Sequence, residues 1–246
     1  MQLPSIDWNE SVVIDGVLRL PLYHGTSTLW MDSIRKNGLG GAMPRLEEVR
    51  ALLGIINEHI PPERKDMMLE MMVNQEQGSM NWQHGQVYFS LAFEDAKNYA
   101  LSNSFGSEIL SECVKSAEEF DLLSLLPQWL CELRDEPKSP IVLKVGGVPI
   151  DWLELERRQE GEVVDKLEEL EQDRLRMHRE FDEVEAARAE FLCGNFERFG
   201  LASEYKGMTR EDSLQSSMGV LLQQNTYRLK KQHVVLADSL DVIELL

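Results

Sequence analysis

The run Leu20-Pro21-Leu22-Tyr23 carries a short apolar strand into His24-Gly25-Thr26-Ser27, and from there into Leu29-Trp30-Met31-Asp32-Ser33-Ile34-Arg35-Lys36-Asn37-Gly38-Leu39. The apolar spacing of that second segment and its closing Asn-Gly predict a helix ended by a glycine cap. A histidine is thus delivered where a strand hands over to a helix, a position at which folds commonly present site residues. Farther along, Gly85-Gln86-Val87-Tyr88-Phe89-Ser90 reads as a second apolar strand, followed by a helix from about Phe93 that carries Tyr99. With two such handovers, the chain must place strands and helices around a shared core, an α+β arrangement.

The segments between these blocks are mostly helical in pattern. Ser11 to Leu22 reads as two short strands about Asp15-Gly16, because glycine tolerates the positive φ of a tight hairpin turn. A helical insertion is expected over 42–76: Leu46, Val49, Leu52, Leu53 and Ile56 fall at helical spacing, Pro61-Pro62 breaks the run, and Met67, Met68, Met71 and Met72 mark a second helix. The methionine stripe is read as core packing. Ser107 to Glu136 is helical again, with Leu122, Leu123, Leu125, Leu126, Trp129 and Leu130 as its apolar face. Ile141-Val142-Leu143-Lys144-Val145 is a buried strand, and Gly146-Gly147 after it is a turn, since no Gly-Lys-Ser follows to make a phosphate loop.

Residues 151–192 form a charged helical arm. Positions 151–190 hold fifteen acidic and seven basic residues, a net charge of −8. Val163, Leu167, Leu170, Met177, Phe181, Val184 and Phe191 recur at threes and fours, with Arg174 and Arg188 on the same seam. One long amphipathic helix or a helical hairpin fits, and the seam either packs on its own domain or docks a partner protein. The whole chain, 1–246, is expected to be one domain with these two elaborations.

Its formal net charge of −18 opposes general binding to phosphate backbones unless the charge is unevenly spread. Cys113, Cys131 and Cys193 form no CxxC pair, so neither a disulfide framework nor a zinc site is expected, and no metal is called for. The N-terminus lacks a basic region followed by an apolar run, and no segment nears the ~20 apolar residues of a membrane span; a cytoplasmic protein without membrane contact is expected.

Taken together, His24-Gly25-Thr26, Tyr88-Phe89-Ser90 and Tyr99 resemble the ADP-ribosyltransferases of the diphtheria-toxin and poly(ADP-ribose) polymerase branch. The resemblance covers scattered blocks over about half the chain. It implies a split mixed or antiparallel β-sheet core of the ADP-ribosyltransferase type, elaborated by helical insertions, and NAD+ as co-substrate. By the same resemblance, His24 hydrogen-bonds a hydroxyl of the adenine-side ribose and the Gly25 backbone holds the nicotinamide carboxamide. Thr26 or Ser90 adds a hydrogen bond there, Tyr99 stacks on the nicotinamide ring, and Tyr88 lines the pocket. Read from the residues alone, Tyr88 and Tyr99 fit core positions as well.

The family's late strand opens on glutamate, whereas Gln232-His233-Val234-Val235-Leu236 here opens on glutamine. A glutamine can accept a hydrogen bond from a ribose hydroxyl but brings no negative charge to a cationic sugar. Three readings follow: a mono-ADP-ribosyltransferase working with Gln232, one in which Glu204 or Glu244 enters the site, or a catalytically silent NAD or ADP-ribose binding scaffold. Hydrolysis of NAD alone is a further alternative. The acceptor is expected to be a macromolecule, RNA, DNA or protein. Tyr205, Lys206, Arg210 and Gln223-Gln224-Asn225 would face it, with Lys230 and Lys231 able to attract phosphate. Bacterial and phage relatives of this arrangement are often toxins restrained by a bound partner, and the 151–192 arm suits such an inhibitory protein.

Overall fold

The computed structural model describes residues 9–41, 46–64, 86–156, 161–192, 222, 226–230 and 232–245; for residues 46, 47, 50 and 184–192 it describes the backbone alone. Outside these lie Met67, Met68, Met71 and Met72, where the sequence led us to expect a second helix, and Cys193, Glu204, Tyr205, Lys206, Arg210, Gln223 to Asn225 and Lys231.

Helices and strands are both present, as the alternating handovers predict. The strands form two sheets. The three-stranded one has the order β1 (Val13–Ile14), β2 (Val17–Leu18), β6 (Val148–Pro149). The six-stranded one runs β7 (Leu153–Leu155), β8 (Thr226–Leu229), β4 (Tyr88–Ser90), β3 (Leu22–Ser27), β5 (Pro140–Val145), β9 (Leu240–Glu244). Strands β5 and β9 pair antiparallel, from Ile141 opposite Glu244 to Val145 opposite Leu240.

The chain divides into two compact units. The first contains Met1–Leu22, Ser90–Ala92 and Gly146–Arg228. Its hairpin joins β1 to β2 through Asp15 at φ 51° and Gly16 at φ 74°, the two left-handed positions that a type I′ turn requires. The charged arm is a single helix over Val163–Leu192, labelled α6 below, so the hairpin alternative is set aside for that segment. Val163, Leu167 and Leu170 are buried to 8%, 2% and 2% exposure, and Arg174 to 5%. Steps of four, three and four residues keep them on one face. The first three turns of the seam are therefore covered by the protein itself, while Val164 and Leu175 on the other side stay exposed.

The second unit contains Tyr23–Phe89, Phe93–Val145 and Leu229–Leu246. It opens with β3 and α1 (Met31–Asn37), which Gly38 ends at φ 77° with its N–H bonded to the Ile34 carbonyl at 2.8 Å. The insertion's first helix, α2 (Leu46–His59), packs on α4 (Glu108–Glu119). Val49, Leu53 and Ile56 meet Ile109, Leu110 and Cys113 there, and Leu130 of α5 (Gln128–Asp135) joins the same core. Burial pushes the Cys113 thiol up to about 12, so it is an inert hydrophobe. A second core sets Tyr23 edge-on to Phe93 at 5.7 Å, with Ala96 of α3 (Phe93–Ser102) and Val142 of β5.

One sequence expectation fails. Gln232 does not open a strand: it is an exposed residue in a turn closed by His233 N–H to the Lys230 carbonyl at 2.9 Å. Of the apolar run after it, only Val235 pairs, through an isolated antiparallel bridge to Leu39, and Leu236 is 67% exposed. The extended segments are β8 before the turn and β9 after it. The tight turn consumes the residues that a strand beginning at Gln232 would need for its ladder.

Candidate functional site

Most of the residues singled out by sequence fall within the second unit, on β3, β4 and α3. His24 lies on β3, half-buried, with Nδ1 2.9 Å from the Tyr88 carbonyl oxygen on β4. A carbonyl can only accept, so Nδ1 carries the proton and donates. Burial holds the imidazole below its ordinary pKa, with the Tyr88 hydrogen bond opposing. The ring is therefore neutral at pH 7, and Nε2 keeps a lone pair able to accept from a hydroxyl. Phe89 stands edge-on to the ring, centroids 6.2 Å apart, which limits its rotation.

Gly25 has a packing reason to be glycine. A Cβ there would overlap the Ala96 carbonyl oxygen and sit 3.0 Å from the Ala100 nitrogen, because α3 lies directly on β3 at this point. That approach fixes α3, and with it Tyr99, relative to His24. Thr26 is 2% exposed and faces Gly106, where a Cβ would come 2.6 Å from Thr26 Oγ1 and 2.8 Å from the Ser27 nitrogen. Ser90 uses its hydroxyl oxygen to accept the Ala92 N–H at 3.0 Å, fixing the turn into α3.

Tyr99 is 39% exposed, leaving much of the side chain open to a planar partner. Lost hydration chiefly raises the phenol to about 12, the Glu108 carboxylate pushes the same way, and the Tyr88 phenol adds a smaller push. The turn between α3 and α4 is built from Asn103, which takes the Tyr99 carbonyl with both its N–H and its side-chain amide at 3.0 Å, and from Gly106, whose N–H bonds the Asn103 carbonyl at 2.7 Å. Gly106 turns the chain there at φ 63°, and Glu108 opens the next helix.

Gln232 stands in its turn at the Val87 end of β4, since Val87 accepts the Leu229 N–H at 2.9 Å and Val235 bridges Leu39. Glu244 is exposed on β9 and Glu204 lies outside the described residues. Among the described residues no group of three or more His, Cys, Asp or Glu is placed to hold a metal ion, and no helix is long and apolar enough to cross a membrane. The second unit thus carries a neutral imidazole acceptor on β3 and a partly exposed aromatic ring on α3. Comparison with models of known families, with curated proteins and with solved structures found no match to this chain.

Proposed function

We propose that the chain is an NAD-dependent mono-ADP-ribosyltransferase that acts on a macromolecular acceptor, with a core of the ADP-ribosyltransferase type. The observation that carries this reading is His24 held as a neutral Nδ1–H tautomer on β3, in the unit where Tyr99 offers an open ring from α3. Nε2 accepts a ribose hydroxyl, Tyr99 stacks on the nicotinamide, Tyr88 lines its edge, and Gln232 offers its amide to the second ribose from the turn at the Val87 end of β4. In the reaction the C1′–N bond breaks and its electron pair leaves with nicotinamide, which becomes neutral. A nitrogen or oxygen of the acceptor then bonds to C1′ and releases its proton to solvent.

The first test is incubation of the purified protein with radiolabelled NAD+ and a cell extract, followed by separate nuclease and protease digestion. Label that either digestion releases supports the transferase, and the sensitive digestion names the acceptor class. His24→Ala should weaken NAD+ binding about tenfold, the worth of one hydrogen bond to a ligand, and labelling should fall with it. Equal binding by His24→Ala would remove His24 from the site. A second reading, a silent module that binds NAD or ADP-ribose, is favoured by the neutral, exposed Gln232; binding without label or free nicotinamide would put it first.

A further inference from the structure

Tyr99 sits where a helix restrains its residues least. It belongs to the last turn of α3, and its carbonyl is one of the four that the helix itself leaves without a partner. Asn103, only 9% exposed, takes that carbonyl twice, with its N–H and its side-chain amide. The Gly106 N–H in turn holds the Asn103 carbonyl at 2.7 Å. The next link comes from the strand of His24. Trp30, in the segment that leaves β3, donates its indole N–H to the Phe105 carbonyl at 2.6 Å, and the Lys138 ammonium stands 4.7 Å over the Phe105 ring. Thr28 of the same segment is fixed to Ser139 by two bonds of 3.0 Å, Thr28 N–H to the Ser139 carbonyl and Ser139 N–H to Thr28 Oγ1. A Cβ on Gly106 would come 2.6 Å from Thr26 Oγ1 and 3.0 Å from Trp30 Cδ1, so the turn lies flat on the end of β3. Hydrogen bonds and backbone thus connect Trp30 to the Tyr99 carbonyl through Phe105, Gly106 and Asn103, all within one compact unit.

We propose that Trp30 is a positioning residue of this site: its indole N–H latches the Asn103–Gly106 turn onto the end of β3, and so holds the last turn of α3 and the Tyr99 ring in place for a planar ligand. Trp30 is half-buried and packs its ring against the core shared by α2, α4 and α5. Phenylalanine would serve that packing as well, but only the indole brings a donor to the Phe105 carbonyl. Without the latch the last turn of α3 must be ordered as the ligand binds, and affinity falls by the fraction of molecules in which the ring is out of place. The inference rests on the reading in which Tyr99 stacks on nicotinamide, and its test separates the two.

NAD+ binding is measured by calorimetry for the wild type, for Trp30→Phe, and for Trp30→Phe combined with Tyr99→Ala or with His24→Ala. Trp30→Phe removes the donor and keeps the ring, so affinity should fall about three- to tenfold, the effect of one hydrogen bond. Added to Tyr99→Ala it should cost less than about twofold more, whereas added to His24→Ala it should keep its full effect, because coupling is confined to residues that act through one another. A general loosening of the fold would weaken binding alike in both backgrounds. The second readout needs no ligand. With 3-fluorotyrosine at the five tyrosines, the Tyr99 fluorine signal, assigned by Tyr99→Phe, should shift or broaden in Trp30→Phe while that of Tyr23 on β3 stays. Asn103→Ala, which removes the side-chain amide bond to the Tyr99 carbonyl, should reproduce both effects and serves alone if Trp30→Phe does not fold. An unchanged affinity, an unmoved Tyr99 signal, or an equal loss in the Tyr99→Ala background overturns this inference and leaves the NAD reading standing. A wild type that does not bind NAD+, or a Tyr99→Ala protein that binds it as tightly as wild type, overturns the stacking reading itself and the inference with it.

Discussion

Gly25→Ala is expected to lower the melting temperature by about 10 °C. The added methyl overlaps the Ala96 carbonyl oxygen and comes 3.0 Å from the Ala100 nitrogen. Both are backbone atoms of α3, so no rotamer change relieves the clash; the helix has to move off the sheet. Overpacking usually costs about 1–3 kcal/mol, with higher values where the obstacle is rigid. Roughly 3–5 kcal/mol for a chain of this size corresponds to about 6–20 °C. Gly54→Ala is the internal control: it lies within α2 with nothing within 4 Å of the added carbon, and exchange of helical glycine for alanine should stabilise by up to about 1 kcal/mol. Thermal unfolding followed by circular dichroism distinguishes the two. A Gly25→Ala protein melting within about 2 °C of wild type would mean that α3 does not rest on β3 as described, and the placement of Tyr99 would fail with it.

Glu171→Ala should be nearly as damaging, for an electrostatic reason. Arg174 on α6 is 5% exposed, and its guanidinium meets Glu171 in a fork, Nε to Oε2 at 3.0 Å and the terminal nitrogen to Oε1 at 2.7 Å. The same carboxylate accepts the Val12 N–H at 2.9 Å, tying the arm to the start of the hairpin. Removing it strips a buried cation of this two-point contact, and breaking a buried pair costs up to about 3–5 kcal/mol, whereas an apolar residue of similar volume in place of the arginine is often neutral. Glu171→Ala alone should therefore melt far below wild type, and Glu171→Ala combined with Arg174→Met should recover most of the loss. If the single variant melts like wild type, the pair does not bind the arm.

The pair also sets a pH dependence of definite sign. The Arg174 hydrogen bond chiefly holds the Glu171 carboxyl below its ordinary value of 4.5, aided by the Val12 N–H. The unfolded chain then takes up the proton first as pH falls. The stabilisation is complete above pH 4.5 and is lost as pH drops through the lower folded value. Melting temperature measured from pH 7 down to 3 should fall more steeply in wild type than in Glu171→Ala combined with Arg174→Met.

Local pattern settled a good deal. Asp15-Gly16 announced its hairpin because two successive positive φ angles are a property of those residues, whatever the chain around them. The helix after Trp30, the helix bearing Tyr99, the strand Pro140–Val145 and the helical character of the arm were likewise legible, since hydrophobic periodicity and glycine or proline stops act over a few residues; that the arm is one helix and not a hairpin was not. The arm's seam showed which face was apolar. That the face turns inward for its first three turns, with Arg174 buried on it, depended on which surface was there to receive it.

The late segment misled for the same physical reason. Val234-Val235-Leu236 reads as a strand because β-branched and aliphatic residues suit a pleated surface. A strand also needs a partner ladder, however, and the turn from Lys230 to His233 leaves Val235 only one bridge. His24, Tyr88 and Tyr99 could be chosen from sequence as a set, but their hydrogen bonds could not. The tautomer of His24 follows from the Tyr88 carbonyl, and the glycine at position 25 from the approach of α3. Sequence alone determined the elements and the residue types, because these are encoded in local spacing. Only the tertiary structure decided that α3 seats on β3 at Gly25 and that the Tyr88 carbonyl fixes the His24 tautomer, because both depend on how distant parts of the chain close against one another.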